Sequence, residues 1–90
     1  MARYEIATLE SAAAGQGNSA GDIFFQLGIM FSAGGGAEPV DRVAAHKWFN
    51  LAAARGNRMA IEHRRELAAE MNAQEIATAQ RAAREWLTTH

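Results

Sequence analysis

One histidine and one glutamate of this sequence have the spacing of a metal-binding pair. His63 and Glu66 lie three residues apart, and on a helix this spacing puts both side chains on one face. Carboxylate–histidine metal sites in helical proteins use the same spacing, but they need further ligands from facing helices. The other histidines of the sequence are His46 and the terminal His90. A solvated helix face is therefore the favoured interpretation, and we predict no metal ligands.

Two glycine-rich stretches partly match nucleotide-binding loops. Gly15-x-Gly17-x-x-Ala20 fits the loose dinucleotide fingerprint, which requires a preceding strand so that the following helix N-terminus receives the pyrophosphate. Here the alanines of a predicted helix precede the motif, so a helix–helix turn is the favoured interpretation. The run of three glycines that starts at Gly34 lacks the following Lys-Ser/Thr of a phosphate loop. The sequence therefore predicts no bound cofactor.

Basic residues are concentrated in the second half of the chain. The cluster consists of Lys47, Arg55, Arg58, Arg64 and Arg65. Glu62, Glu66 and Glu70 share this region and would cancel its field, and the whole chain carries a formal net charge of −1. We therefore expect no general attraction to nucleic acid or to an anionic membrane.

The sequence contains no pattern that predicts a catalytic nucleophile. Cysteine is absent, which rules out thiolate chemistry, a disulfide framework and cysteine-based metal sites. Serine and threonine occur, but nothing places a histidine and a carboxylate beside one of them as in a nucleophilic triad. We therefore expect no catalytic residues and a protein that is not an enzyme.

Two adjacent phenylalanines are the sharpest candidates for a binding role. Phe24 and Phe25 point about 100° apart on a helix, so both rings cannot face one seam of the core. Either flanking helices bury both rings, or one ring contributes to an exposed apolar patch of the kind that marks an interaction surface. Phe24 is the better candidate for exposure, with Ile23 and Met30 as neighbours. We therefore predict a partner-binding surface at Ile23, Phe24 and Met30 for another protein or peptide, or for a second copy in a homodimer.

The elements that must position these residues are predicted to be helices. Five helices are expected, at about 3–14, 20–33, 42–55, 58–71 and 73–88, and no alternating β-branched run predicts a strand. The expected N-caps are Ser19, Asp41, Asn57 and Asn72. Gly56 is the expected stop of the third predicted helix, because that position favours a left-handed residue. The predicted fold class is all-α.

Part of the third predicted helix recurs upstream. Ala45, Trp48, Ala52, Ala53, Gly56 and Asn57 are matched 39 positions earlier by Ile6, Leu9, Ala13, Ala14, Gly17 and Asn18. Self-similarity at a period of roughly 20–50 residues indicates a helical repeat array. The sequence therefore predicts antiparallel helix pairs stacked into an α/α superhelix.

Residues 20–56 carry a longer motif that resembles a known repeat family. The motif reads Leu27-Gly28-x-x-Phe31-x-x-Gly34, then Asp41, then Ala45-x-x-Trp48-x-x-x-Ala52-Ala53-x-x-Gly56. It is similar to the Sel-one-like repeat, an α/α solenoid related to tetratricopeptide repeats. The resemblance implies a single domain with a half repeat at 1–19, a full repeat at 20–56 and a degenerate terminal repeat at 57–90, as in small bacterial members.

That resemblance also implies a functional class. Sel-one-like repeats are protein-binding adaptors or regulators without catalysis, and the alternative is a structural subunit or a self-associating cap within a larger complex. The cysteine pairs of secreted members are missing here. The N-terminus has no apolar run of a signal peptide, and the most apolar run, 23–33, is shorter than the roughly 18–20 residues of a membrane helix. We therefore expect a cytoplasmic protein.

Overall fold

A computed structural model of the protein describes residues 19–34 and 39–90. These residues form four α-helices and contain no strand: α1 at Ala20–Ala33, α2 at Arg42–Ala54, α3 at Arg58–Ala68 and α4 at Ala73–Thr89. The all-α class is confirmed for this part of the chain. The predicted helix at 3–14, nearly all of the predicted half repeat at 1–19, the Gly15–Gly17 motif and most of the glycine run after Gly34 lie outside the described residues.

All four predicted N-caps are confirmed. In each case the side-chain oxygen of the cap accepts a hydrogen bond from the backbone N–H three residues later, over 2.8–3.0 Å. The donor and cap pairs are Asp22 and Ser19, Ala44 and Asp41, Ala60 and Asn57, and Glu75 and Asn72. The Asn72 cap is a complete capping box, because Glu75 Oε1 accepts from the Asn72 N–H at 3.0 Å. At the start of α1, Asp22 Oδ1 instead accepts from Asn57 Nδ2 at 3.1 Å. This bond ties the first turn of α1 to the start of α3.

The turn between α2 and α3 depends on a glycine. Gly56 has a φ of 93°, in the left-handed region that other residues adopt only with strain. The Asn57 N–H then donates to the Ala52 carbonyl at 3.0 Å, which is the 6→1 bond of a Schellman turn. The chain can therefore leave α2 and start α3 within three residues, as the sequence predicted.

Helix α1 packs closely on α2 because α1 carries glycines at the contact. A Cβ built on Gly28 would overlap the ring of Phe49, and one built on Gly21 would lie 3.1 Å from the Arg55 carbonyl oxygen. The leucine–glycine pair of the motif thus has a packing role. Leu27 is fully buried, and Gly28 lets the Phe49 ring approach the backbone.

Helix α2 is the central element of the described chain. It packs against α1, α3 and α4, whereas α3 and α4 pack against α2 rather than against each other. The predicted stripe of Ala45, Trp48 and Ala52 is buried. Because α3 and α4 do not close over α2, part of its surface stays open between them. No helix in the described ranges is long and apolar enough to span a membrane.

Candidate binding groove

The predicted surface at Ile23, Phe24 and Met30 does not form an exposed patch. Phe24 is 5% exposed, and its ring centroid lies 5.4 Å from that of Trp48 and 5.2 Å from that of Trp86. Ile23 is also buried, and Met30 is half-buried against the core. The exposed-ring alternative is therefore wrong for Phe24, because α2 and α4 both contribute an indole that covers it.

Phe25 points to a different side of α1. Its ring is half-buried and contacts Phe49 and His63, with centroid distances of 5.8 and 4.9 Å. His63 Nδ1 lies 3.0 Å from the Met59 carbonyl oxygen, so Nδ1 is the donor of this bond. Glu66 is exposed. Across residues 19–34 and 39–90, no group of three or more His, Asp and Glu side chains is placed to hold a metal.

The basic cluster of the sequence is divided by the fold. Arg65 Nη1 donates to Glu62 Oε1 at 2.9 Å, and Arg42 Nε lies 3.4 Å from Glu70 Oε1. Arg65 thus takes the carboxylate that the i,i+4 spacing would assign to Arg58. Arg64 points elsewhere, toward α2. The sequence suggested that glutamates cancel the basic charges throughout this region. In the structure Arg65 is paired with a glutamate, whereas Arg64 is not.

A groove runs between α2 and α4. It has a volume of about 420 Å³ and is lined by Asn50, Leu51, Ala54, Gln80, Ala83, Arg84 and Leu87. The α4 residues follow the i, i+3, i+4, i+7 spacing of one helical face. Leu51 and Ala83 are buried, whereas the Leu87 side chain is 48% exposed at the rim. The groove therefore combines an apolar lining with two amide groups and one guanidinium.

Asn50 is held between two side chains. Its Oδ1 accepts from Arg64 Nη1 at 2.7 Å, and its Nδ2 donates to His46 Nδ1 at 3.2 Å. This arrangement requires a neutral His46 with its proton on Nε2, because Nδ1 must accept. His46 is 3% exposed. Burial lowers the pKa of His46 below its ordinary value of 6.5, and the positive charge of Arg64 lowers it further.

The groove carries positive charge without a carboxylate of its own. None of its lining residues is acidic. Arg84 lines the groove and Arg64 contacts the lining residue Asn50, and neither is within 4.0 Å of a carboxylate in the described part of the chain. Glu62 and Glu66 lie two residues from Arg64, and residues two apart on a helix do not face each other. Their charges point away from the groove, although the chain as a whole has a net charge of −1.

Sequence reasoning missed this site. Asn50, Arg84 and Leu87 were not singled out, and Arg64 was treated as cancelled by nearby glutamates. Two signals were present: the i,i+4 pair His46–Asn50, and the repeated face of Gln80 and Leu87 on an amphipathic helix. Neither signal shows how α4 lies on α2, and the groove is formed between those two helices.

Comparisons with known proteins leave the family open. No protein-family model, curated protein or solved structure matches this chain. We therefore infer a function from the chemistry of the groove.

Proposed function

We propose that the chain is a non-catalytic protein-interaction module that binds a segment of a partner protein in the groove between α2 and α4. The observation that carries this proposal is the open lining, in which a half-exposed leucine, Leu87, lies above a buried apolar floor. A partner side chain seated there would remove the rest of Leu87 from water. The volume of about 420 Å³ is within the usual range of ligand-binding clefts, about 300–1,000 Å³.

The polar residues of the groove suit a polypeptide. The side-chain amides of Asn50 and Gln80 each carry both donors and an acceptor, which is the complement of a peptide backbone. The apolar positions Leu51, Ala54 and Ala83 would receive apolar side chains of the same segment. Grooves between helices bind peptides in this manner, with apolar anchors in the cleft and polar groups that fix register.

The rest of the fold supplies a rigid wall rather than reactive groups. Trp48 and Ala52 are buried in α2 beneath the groove, which fixes the position of Asn50 and Leu51. The groups whose side chains contact Asn50 are His46 and Arg64, and neither is a nucleophile beside a base. The resemblance of residues 20–56 to the Sel-one-like repeat also supports a non-catalytic interaction module, since that resemblance implies an adaptor or regulator.

The proposal can be tested with displayed peptides. A library of random 12-residue peptides would be selected against the full chain, and enriched peptides measured by fluorescence anisotropy. Leu87→Ser should weaken their binding about fivefold, because roughly half of a leucine side chain, about 1 kcal/mol, no longer becomes buried. Ile61→Ser is the matched control, since Ile61 is an exposed aliphatic residue of α3 (38%) outside the groove.

Each outcome has a distinct meaning. Amide chemical shifts that change at residues 50–54 and 80–87 on peptide addition would support the groove. Failure to enrich any peptide, or equal losses in Leu87→Ser and Ile61→Ser, would contradict the proposal. A wild-type dimer in sedimentation that Leu87→Ser converts to a monomer would favour the self-associating alternative instead.

A further inference from the structure

We infer that the segment held in this groove is acidic, and that one of its carboxylates binds between Arg64, Arg84 and the amide of Asn50. This inference rests on the proposed function, because it names the chemistry of the partner that the groove accepts. The three side chains come from three helices, α3, α4 and α2. The subsite therefore exists only in the folded chain and is not a run of basic sequence.

Arg64 provides the first observation. Arg64 is half-buried, and its guanidinium makes one hydrogen bond, from Nη1 to Asn50 Oδ1 at 2.7 Å, out of the five N–H donors that the group carries. No carboxylate of the described residues pairs with it. The charge of this partly buried cation is therefore not balanced by any described carboxylate, since its recorded hydrogen-bond partner is a neutral amide. An anion from outside the chain would balance it.

Arg84 provides the second observation. It lines the same groove as Asn50, from the opposite wall, and it too has no carboxylate partner in the described part of the chain. Guanidinium groups match carboxylates with paired N–H donors, which makes arginine the residue suited to this contact. One arginine that lines a groove without acidic residues, and a second that contacts the groove residue Asn50, thus indicate an anionic guest.

Asn50 provides the third observation, because its orientation is fixed. Oδ1 is taken by Arg64 and one hydrogen of Nδ2 is taken by His46. The second hydrogen of Nδ2 is not used by either bond and is available to an acceptor in the groove. His46 is therefore a positioning residue: its neutral Nδ1 keeps the donor side of the amide from turning toward Arg64.

The apolar lining distinguishes an acidic protein segment from other anions. Leu51, Ala83 and Leu87 line the groove together with Asn50 and Arg84 and would have no partner in a sugar–phosphate backbone. The net charge of −1 also disfavours a polyanion, whose affinity depends on many phosphate contacts. A segment with a carboxylate next to an apolar residue satisfies both parts of the groove.

Matched peptides test this inference. Enriched peptides should contain Asp or Glu, and replacing that residue with Asn or Gln should weaken binding to the wild-type chain about tenfold, the usual scale for a lost charge-assisted hydrogen-bond pair. Arg64→Gln should bind the acidic and the amide peptide equally. Arg58→Gln is the control on the same helix: Arg58 is exposed, carries the same charge and makes no hydrogen bond to Asn50.

Several results would overturn the inference. One is equal affinity of wild type for acidic and amide peptides, and another is an equal loss in Arg64→Gln and Arg58→Gln. Tighter binding of a 12-nucleotide single strand than of the acidic peptide would also overturn it. If Arg64→Gln melts early by circular dichroism, Arg84→Gln, on the exposed wall, gives the same comparison.

Failure of the subsite and failure of the proposed function are distinguishable. Peptides that bind the groove and lose affinity in Leu87→Ser, but show no preference for a carboxylate, would leave the function standing and remove the anion subsite. If no peptide binds the groove, both are wrong.

Discussion

Two aromatic clusters built from neighbouring residues differ in how many of their rings are buried. The inner cluster consists of Phe24, Trp48 and Trp86. The outer cluster consists of Phe25, Phe49 and His63. In the inner cluster Phe24 and Trp48 are buried and Trp86 is half-buried, whereas in the outer cluster Phe49 alone is buried and Phe25 and His63 are half-buried. Two adjacent pairs, 24–25 and 48–49, thus divide between the clusters, because successive helical residues point about 100° apart.

The helix that closes each cluster explains the difference. Trp86 of α4 meets the inner cluster with centroid distances of 5.2 and 5.7 Å, and its other neighbour is the stacked ring of His90 at 4.5 Å. The outer cluster is closed by His63 of α3, a smaller and polar ring, and a cavity of about 220 Å³ lies beside it. A large apolar ring completes a core, while a polar ring leaves an accessible edge.

The strongest way to break this comparison is to place a charge in each cluster. Phe24→Glu should abolish cooperative folding, because an unpaired buried carboxylate costs several kcal/mol out of a total stability of about 5–15 kcal/mol. Phe25→Glu should cost only about 1–2 kcal/mol, because that position is half open to water. Urea unfolding followed by circular dichroism checks both variants.

The reverse order of the two phenylalanine variants would contradict the assignment of clusters. A folded Phe24→Glu chain with unchanged helical content would mean that the ring is accessible after all. Phe24→Leu and Phe25→Leu are the matched apolar controls, since they shorten each side chain without adding charge.

A second test concerns His46, the buried histidine of α2. The folded chain favours neutral His46, whose pKa lies below the ordinary value of 6.5 because of burial and of Arg64. As the pH falls below that value, the unfolded chain binds more protons than the folded chain, so the free energy of unfolding decreases. The slope is at most about 1.4 kcal/mol per pH unit for one group.

Urea midpoints measured between pH 7.5 and pH 5 test this dependence. His46→Gln should flatten the slope, because this variant removes the group whose pKa is lowered. A slope that survives His46→Gln would show that other groups produce the acid sensitivity. These measurements are made without acidic peptide, because the carboxylates of the peptide would titrate at the low end of this pH range.

Local features of the fold were predictable from the sequence, and long-range ones were not. The caps at Asp41 and Asn72 and the left-handed Gly56 depend on residues within one turn, so the local sequence specifies them. Burial of Phe24 depends on Trp86, far along the chain. The end of α3 at Ala68 was also missed, because 69–71 contain helix-forming residues while Met71 turns into the core.

The groove was unpredictable for the same physical reason. From the sequence, Arg64 is one of several charges on a mixed helix surface. Its contact with Asn50 depends on how α3 packs on α2, which the sequence does not show. The groove is lined by α2 and α4, and the packing of these two helices on each other is a long-range feature. The degenerate terminal repeat predicted at 57–90 does not indicate how α4 lies on α2.

The smallest expected effect concerns the ion pair at the edge of the outer cluster. Arg42 Nε and Glu70 Oε1 are 3.4 Å apart, with side chains 46% and 65% exposed, and Glu70 lines the cavity beside Phe49 and His63. Exposed pairs of this kind contribute about 0–1 kcal/mol, so Glu70→Gln should change the free energy of unfolding by less than about 0.5 kcal/mol. Glu62→Gln, which removes the exposed partner of Arg65, is the matched control. A loss above about 1.5 kcal/mol confined to Glu70→Gln would show that the Arg42–Glu70 pair covers the outer cluster. The two clusters would then differ in the type of residue that covers them and not in how well they are covered.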